Sequence, residues 1–185
     1  MPRTFPASLL TDLQWWTELL SFPPVDRAIP GEVSVTDVDA FSDASTSGGV
    51  AIVIAGEWQA WSLRDGWKGG DRDIGWLEAI GFELAVRAVL LHGPLDRHFR
   101  IHVDNQGIVD GWRNGRSRNG SSNEVFKRIH RVLALHDRFA YAVYVPSADN
   151  IADAPSRGLF PPRSQRLRAF ELPSALDPYL YLAPL

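Results

Sequence analysis

The sequence predicts an α/β domain built on a five-stranded mixed sheet with helices on both faces. Three observations predict it. Five short runs, at 33–43, 50–55, 58–63, 99–103 and 140–145, are β-branched and apolar or alternate apolar with polar residues. A turn at Gly56-Glu57 joins the second and third runs as a hairpin. Segments of helical period separate the later runs, and a crossover of that length implies parallel pairing.

Each element has its own warrant. Leu9, Leu13, Trp16 and Leu20 recur at helical spacing over 8–20, an amphipathic helix. Pro23, Pro24 and Pro30 then make 21–32 a linker. The first strand ends in the Gly/Ser turn Ser45 to Gly49, and 64–72 is a Gly-rich loop. Asp73 caps a helix that runs to about His92, where Gly93-Pro94 stops it. Gly107 to Trp112 reads as a short helix and 114–122 as a loop. Asn123 begins a second long helix over 124–138, with Val125, Ile129, Val132 and Leu133 apolar. Pro155 restricts 148–157 to a last short helical turn, with Asp149 or Asn150 as its N-cap. The expected organisation is a helix and linker at 1–32, the α/β domain at 33–160 and a Pro-rich tail at 161–185.

The chain has 185 residues, 45% of them apolar and 22% charged, which argues against disorder and against a fibre. The absence of cysteine excludes a disulfide framework, a thiol nucleophile and the usual structural zinc sites. No run of about 18 apolar residues exists, so no membrane span is expected. Met1 to Leu10 is too weakly apolar for a secretory signal, and an intracellular location is expected. The net charge of −3 hides an asymmetry. Residues 31–110 hold 6 basic and 13 acidic side chains, whereas 111–138 hold 7 basic and 2 acidic ones. An acidic half beside a basic segment fits a cation-binding centre next to a polyanion-binding surface.

Three carboxylates stand where the backbone changes direction. Asp43 closes the first strand, Asp104 closes the fourth, and Glu78 lies in the first turns of the long helix. Positions 78, 82, 85 and 89 share a helical stripe, so Glu78 faces the sheet. Glu83 falls on another face, where Arg87 at i+4 offers an ordinary surface pair, and its replacement is expected to matter little. Asp37 and Asp39 are read as surface residues. An inward carboxylate is unfavourable unless it is paired or bound to a cation, and hard oxygen ligands suit Mg²⁺. Asp153, one turn beyond Asp149, faces the same cavity.

The strings Ser42-Asp43-Ala44-Ser45 followed by Gly48-Gly49, Leu77-Glu78 in a helix, Val103-Asp104-Asn105, and Asn150-Ile151-Ala152-Asp153-Ala154-Pro155-Ser156-Arg157 carry a resemblance. Together, over roughly 35–160, they resemble the ribonuclease H domains of retroelement reverse transcriptases, especially those of long-terminal-repeat and tyrosine-recombinase-type elements. Leu13 to Leu20 is similar to the connecting stretch that precedes this domain in such polyproteins. The resemblance implies an RNase H-like fold and an endonuclease that hydrolyses the RNA strand of RNA/DNA hybrids. It implies catalytic and metal-ligating roles for Asp43, Glu78, Asp104 and Asp153, with two Mg²⁺ ions (Mn²⁺ as a substitute) roughly 3.5–4 Å apart. The register of the motif selects Asp153 over Asp149. The partners implied are the hybrid and the polymerase part of the same polyprotein. Tyr144-Val145-Pro146-Ser147 stands where relatives carry His-x-Pro-Gly, so no loop His is expected, and His130 and His136 read as packing or surface residues.

A hybrid is recognised through shape, phosphates and 2′-hydroxyls. Arg113, Arg116, Arg118, Lys127, Arg128 and Arg131 are the expected phosphate contacts. Asn105, Ser45 and Gln106 are the expected contacts to the RNA strand. Trp112 is either a packing residue or a stacking platform, and Trp58, Trp61 and Trp67 are core or loop anchors. The tail wraps the domain or leads to a next polyprotein segment. Two other readings are a catalytically silent RNase H-like module that binds nucleic acid and a transposase or integrase core. The filled acidic quartet argues against both.

Overall fold

The computed structural model describes residues 8–21, 33–93, 96–168 and 171–184. β1 (Thr36–Ala44), β2 (Gly49–Ile54) and β3 (Glu57–Leu63) form an antiparallel meander. β4 (His98–Val103) pairs parallel with β1, and β5 (Phe139–Tyr144) pairs parallel with β4. β6 (Leu180–Leu182) pairs antiparallel with β3, giving the order β5-β4-β1-β2-β3-β6. The sheet is therefore mixed as expected, with six strands and not five. The additional strand is three residues long, too short to show a period, and it is held by the burial of Leu167, Leu176 and Leu180 around it.

α2 (Ile74–His92) crosses from β3 to β4, and α3 (Gln106–Arg113) with α4 (Gly120–Leu135) crosses from β4 to β5. Asp73 caps α2 by accepting from the Trp76 amide at 3.0 Å. Thirteen residues of α2 are buried, because β1 and β2 cover one side of it and α4 another. The opposite face of the sheet packs Phe41, Ala51, Val53, Trp58 and Ala60 against Ala152, Phe160 and Ala183. There α5 (Asp153–Ser156) and the C-terminal segment play the part of a covering layer.

Several boundaries shift for local reasons. α4 starts at Gly120 because Asn119 is its cap, accepting from the Ser122 amide at 2.9 Å. Asn123, the expected start of the helix, accepts from the Ser117 amide and donates to its carbonyl, bracing the loop. α4 ends at Leu135, not 138, and Asp137 reverses the chain at φ +49°. The hairpin turn sits one residue earlier than expected, at Ala55-Gly56. Both residues have positive φ there, as a two-residue type I′ turn requires. Neither Asp149 nor Asn150 is the residue before α5; that is Ala152, with no side-chain cap. Asn150 shapes the approach to α5 by accepting from the Ala152 amide. α1 (Ser8–Leu20) forms as expected, while the linker at 22–32 and Pro94 lie outside the described residues.

Trp112 is a packing residue. Its indole nitrogen donates to the Ala140 carbonyl at 2.9 Å, and its ring meets His130, Phe82 and Phe126. Trp58 and Trp61 are buried, and Trp67 stacks on Trp76. Among the described residues no helix is long and apolar enough to cross a membrane.

Candidate metal centre

Three parallel strands, β1, β4 and β5, end on one edge of the sheet. Ser42 is in register with Val103, and Val103 with Tyr144, so the next residues along β1 and beyond β4, Asp43 and Asp104, emerge side by side. The carboxyl ends of parallel strands are where open α/β sheets leave room for ligands. The Asp73 cap fixes the start of α2 near this edge, and Glu78 follows just over one turn into the helix. Asp43, Glu78 and Asp104 each bring one carboxylate oxygen into a cluster in which all lie within 4.8 Å of one another. Asp43 and Glu78 are buried and Asp104 is half-buried.

Among the described residues no lysine or arginine forms an ion pair with any of the three. Burial, then the Asp43 and Asp104 charges, push Glu78 up to about 9. Burial, with the Asp104 and Asp153 carboxylates, pushes Asp43 up to about 7 against the opposing pull of the Ser156 hydroxyl. Like charges this close cannot all ionise in a poorly solvated site unless a cation joins them. Asp43 and Asp104 feel the charge of Arg157, but its guanidinium is bonded to Asp153. Three convergent hard oxygens with no ion-pair partner among the described residues fit a divalent cation of the Mg²⁺ or Mn²⁺ kind.

The C-terminal motif packs on the face of the sheet opposite α2, the side that Asp43 shares with Phe41 by strand alternation. The Ser156 hydroxyl donates to Asp43 Oδ2. The Asn150 amide donates to the Ser42 carbonyl at 3.1 Å and lies 3.4 Å from Asp43 Oδ1. Asp153 stands close enough to raise Asp43 but outside the three-oxygen cluster, since Arg157 grips both its oxygens at 2.8–3.0 Å. Asp149 is exposed in a 3-10 turn at Ser147–Asp149.

The expected substrate contacts divide into two groups. Arg116 and Arg118 are exposed, and neither forms an ion pair among the described residues. With Asp110, Asn114 and Ser117 they line a surface depression of about 1010 Å³ beside α3. Arg113 is exposed and lies 3.2 Å from Asp110, which Gln106 also reaches. The cations of α4 are engaged within the protein. Arg128 grips Glu83, Lys127 reaches Asp12 at 2.8 Å and Glu124 at 2.9 Å, and Arg131 pairs with Glu18. Asn105 caps α3 through Oδ1, and the Ser45 hydroxyl is within 2.9 Å of Ser47 Oγ.

Glu83 overturns its expected surface role. It is fully buried and bridges Arg87, at 3.0 Å on its own helix, to Arg128 of α4. Asp37 and Asp39 are exposed as expected. Burial raises the Asp37 carboxyl, but Arg100, the Asp39 amide and His102 outweigh it and hold it at about 2.

No protein-family model matches the chain, and no curated protein sequence matches it. Among solved structures it is similar to RNase H1 from the halophilic archaeon Halobacterium salinarum. That likeness has 22% identity over 64% of this chain and 93% of the other, with a TM-score of 0.44. It is also similar to the N-terminal RNase H domain of a Mycobacterium tuberculosis protein, solved as a fusion with maltose-binding protein. There the identity is 16% over 66% of this chain and 92% of the other, with a TM-score of 0.44.

Proposed function

We propose that the chain is a ribonuclease H that cuts the RNA strand of RNA/DNA hybrids, using two Mg²⁺ ions for which Mn²⁺ can substitute. We place it in a retroelement reverse transcriptase, with the polymerase part as its partner. The observation that carries the activity is the cluster of Asp43, Glu78 and Asp104 oxygens from three separate elements, with no lysine or arginine in an ion pair with them among the described residues. Asp153 is the fourth ligand in this reading. Bound divalent cations would supply Lewis-acid polarisation of the phosphate and a nucleophile at neutral pH.

The chain's own groups bind and orient. Ser156 and Asn150 fix the Asp43 carboxylate at its two oxygens. Arg157 offsets and orients Asp153. Asn105, with Oδ1 spent on the helix cap, keeps its amide hydrogens for an acceptor such as a 2′-hydroxyl. Arg116 and Arg118 supply phosphate contacts beside α3. Incubating the purified chain with labelled hybrid, duplex DNA and duplex RNA, with and without Mg²⁺, tests the proposal. Mg²⁺-dependent cutting of the hybrid alone is expected. Hybrid binding without cutting would select the silent module, a reading favoured by the grip of Arg157 on Asp153.

Two further outcomes are expected here. The raised carboxyls of the cation-free cluster favour the folded state most at low pH. That contribution is lost as pH rises from the ordinary carboxylate range through about 7 and about 9. A cation that binds the ionised cluster reverses the loss, so saturating Mn²⁺ raises the melting temperature at pH 8 and hardly at pH 5. Equal shifts at both values would separate metal binding from this cluster. Secondly, Asp12→Asn with Glu18→Gln releases Arg131 from Glu18 and Lys127 from Asp12, exposed ion pairs that are individually weak, and leaves Lys127 only its pair with Glu124. Hybrid binding should tighten, and the plot of log affinity against log salt should steepen by up to about 2. An unchanged slope would show that α4 does not touch the backbone.

A further inference from the structure

The contact that ties the C-terminal motif to the cluster is made by a side chain that ligates nothing. Ser156 is 1% exposed, sits at the end of α5, and donates its hydroxyl hydrogen to Asp43 Oδ2. Its oxygen also lies 2.8 Å from the Asp153 carbonyl, one turn back, so two acceptors compete for one hydrogen. A serine that satisfied only its own helix would take the carbonyl. The other Asp43 oxygen faces the Asn150 amide, which is itself anchored on the Ser42 carbonyl. The carboxylate is thus held at both oxygens by the segment that carries Asp153.

The backbone makes this docking tight. A Cβ on Gly48, in the turn between β1 and β2, would lie 2.2 Å from the Ser156 carbonyl oxygen and 2.9 Å from the Arg157 Cα. The turn closes directly on α5, so the reach from Ser156 to Asp43 is set by backbone contact and not by a flexible side chain.

We infer that Ser156 is a positioning residue: through its hydroxyl, and with Asn150 on the second oxygen, α5 orients Asp43 so that its free lone pairs face those of Glu78 and Asp104. The inference rests on the cluster being the metal centre proposed above, but it concerns how α5 builds that centre. Without the hydroxyl, the buried carboxylate keeps its charge and loses its orienting donor. The cation is then held less well while Asp153 is still present.

The test is a Mn²⁺ titration of melting temperature at pH 8 on the wild type, Ser156→Ala and Ser156→Cys. Cysteine fills the space that alanine would leave empty and offers only a weak donor, so it covers the case in which alanine does not fold. Partners that orient a ligand typically change metal affinity 10–100-fold, and the half-saturating Mn²⁺ concentration should rise by that factor in both variants. A midpoint within twofold of the wild type overturns the proposal. Melting in EDTA provides a second readout that needs neither metal nor activity. Ser156→Ala should lower the melting temperature by several degrees in the wild type and by clearly less in Asp43→Ala, where there is no carboxylate to orient. Equal decrements overturn the proposal. A wild type that ignores Mn²⁺ would remove the metal centre itself, and the EDTA cycle would still decide whether Ser156 acts through Asp43.

Discussion

Asp43→Asn is expected to abolish Mg²⁺-dependent cleavage of a labelled RNA/DNA hybrid while leaving the chain folded. Asp43 is the hinge of the site. Its oxygen shares the cluster with Glu78 and Asp104, it feels the charge of Asp153, and it alone of the three is bonded to Ser156. Asparagine keeps the shape and an oxygen that can accept from Ser156, so the packing of α5 survives. What disappears is the negative charge that would hold the cations. Their charge stabilisation is worth several kcal/mol in the transition state, or roughly three decades of rate or more. The same substitution relieves repulsion among buried carboxylates, so the cation-free variant should melt no lower than the wild type at pH 8. Its melting temperature should also respond far less to Mn²⁺. A variant that cuts hybrid within about tenfold of the wild-type rate would show that the chemistry lies elsewhere.

The parts of this centre that were legible from sequence share one property: short-range pattern determines them. The period-2 runs locate β1 and β4, and a carboxylate at the end of each must surface at the sheet edge once those strands pair in parallel. Helical parity turns Glu78 inward, and its burial follows. The contacts that were not legible span the chain. Ser156 meets Asp43 across 113 residues, and Asp12 meets Lys127 across 115. Local rules see i+3 and i+4 neighbours such as Glu124 and Lys127, so Arg128 and Arg131 looked free when their acids lay on α2 and α1. β6 escaped for a related reason, since three residues carry no period and only the packing of Leu176 and Leu180 makes them a strand. Glu83 is the sharpest case. Its pairing with Arg87 was correct, but the inference that the pair is wet assumed one exposed stripe, and α2 is covered on its sheet side and by α4.

That reversal turns an expected neutral site into the most damaging one for stability. Glu83 is fully buried, and its two oxygens are shared by Arg87 and Arg128, each only about a quarter exposed. Removing one partner of a buried ion pair typically costs about 3–5 kcal/mol, because the remaining charge stays desolvated and unpaired. Glu83→Ala leaves two guanidinium groups facing each other between α2 and α4, where their mutual repulsion adds to the cavity. For a chain of this length each kcal/mol lowers the melting temperature by about 2–4 °C, so a fall of roughly 6–20 °C is expected. Replacing Glu83 together with Arg128 by leucine and methionine should recover much of it, since an apolar contact of similar volume leaves only Arg87, which can turn toward solvent. Cleavage measured well below the melting point should stay within a few-fold of wild type, because Glu83 belongs to the α2–α4 contact and not to the acidic cluster. A melting temperature within 2 °C of wild type for Glu83→Ala would show that α4 does not seal this pair from water. Arg128 would then be available to the nucleic acid after all.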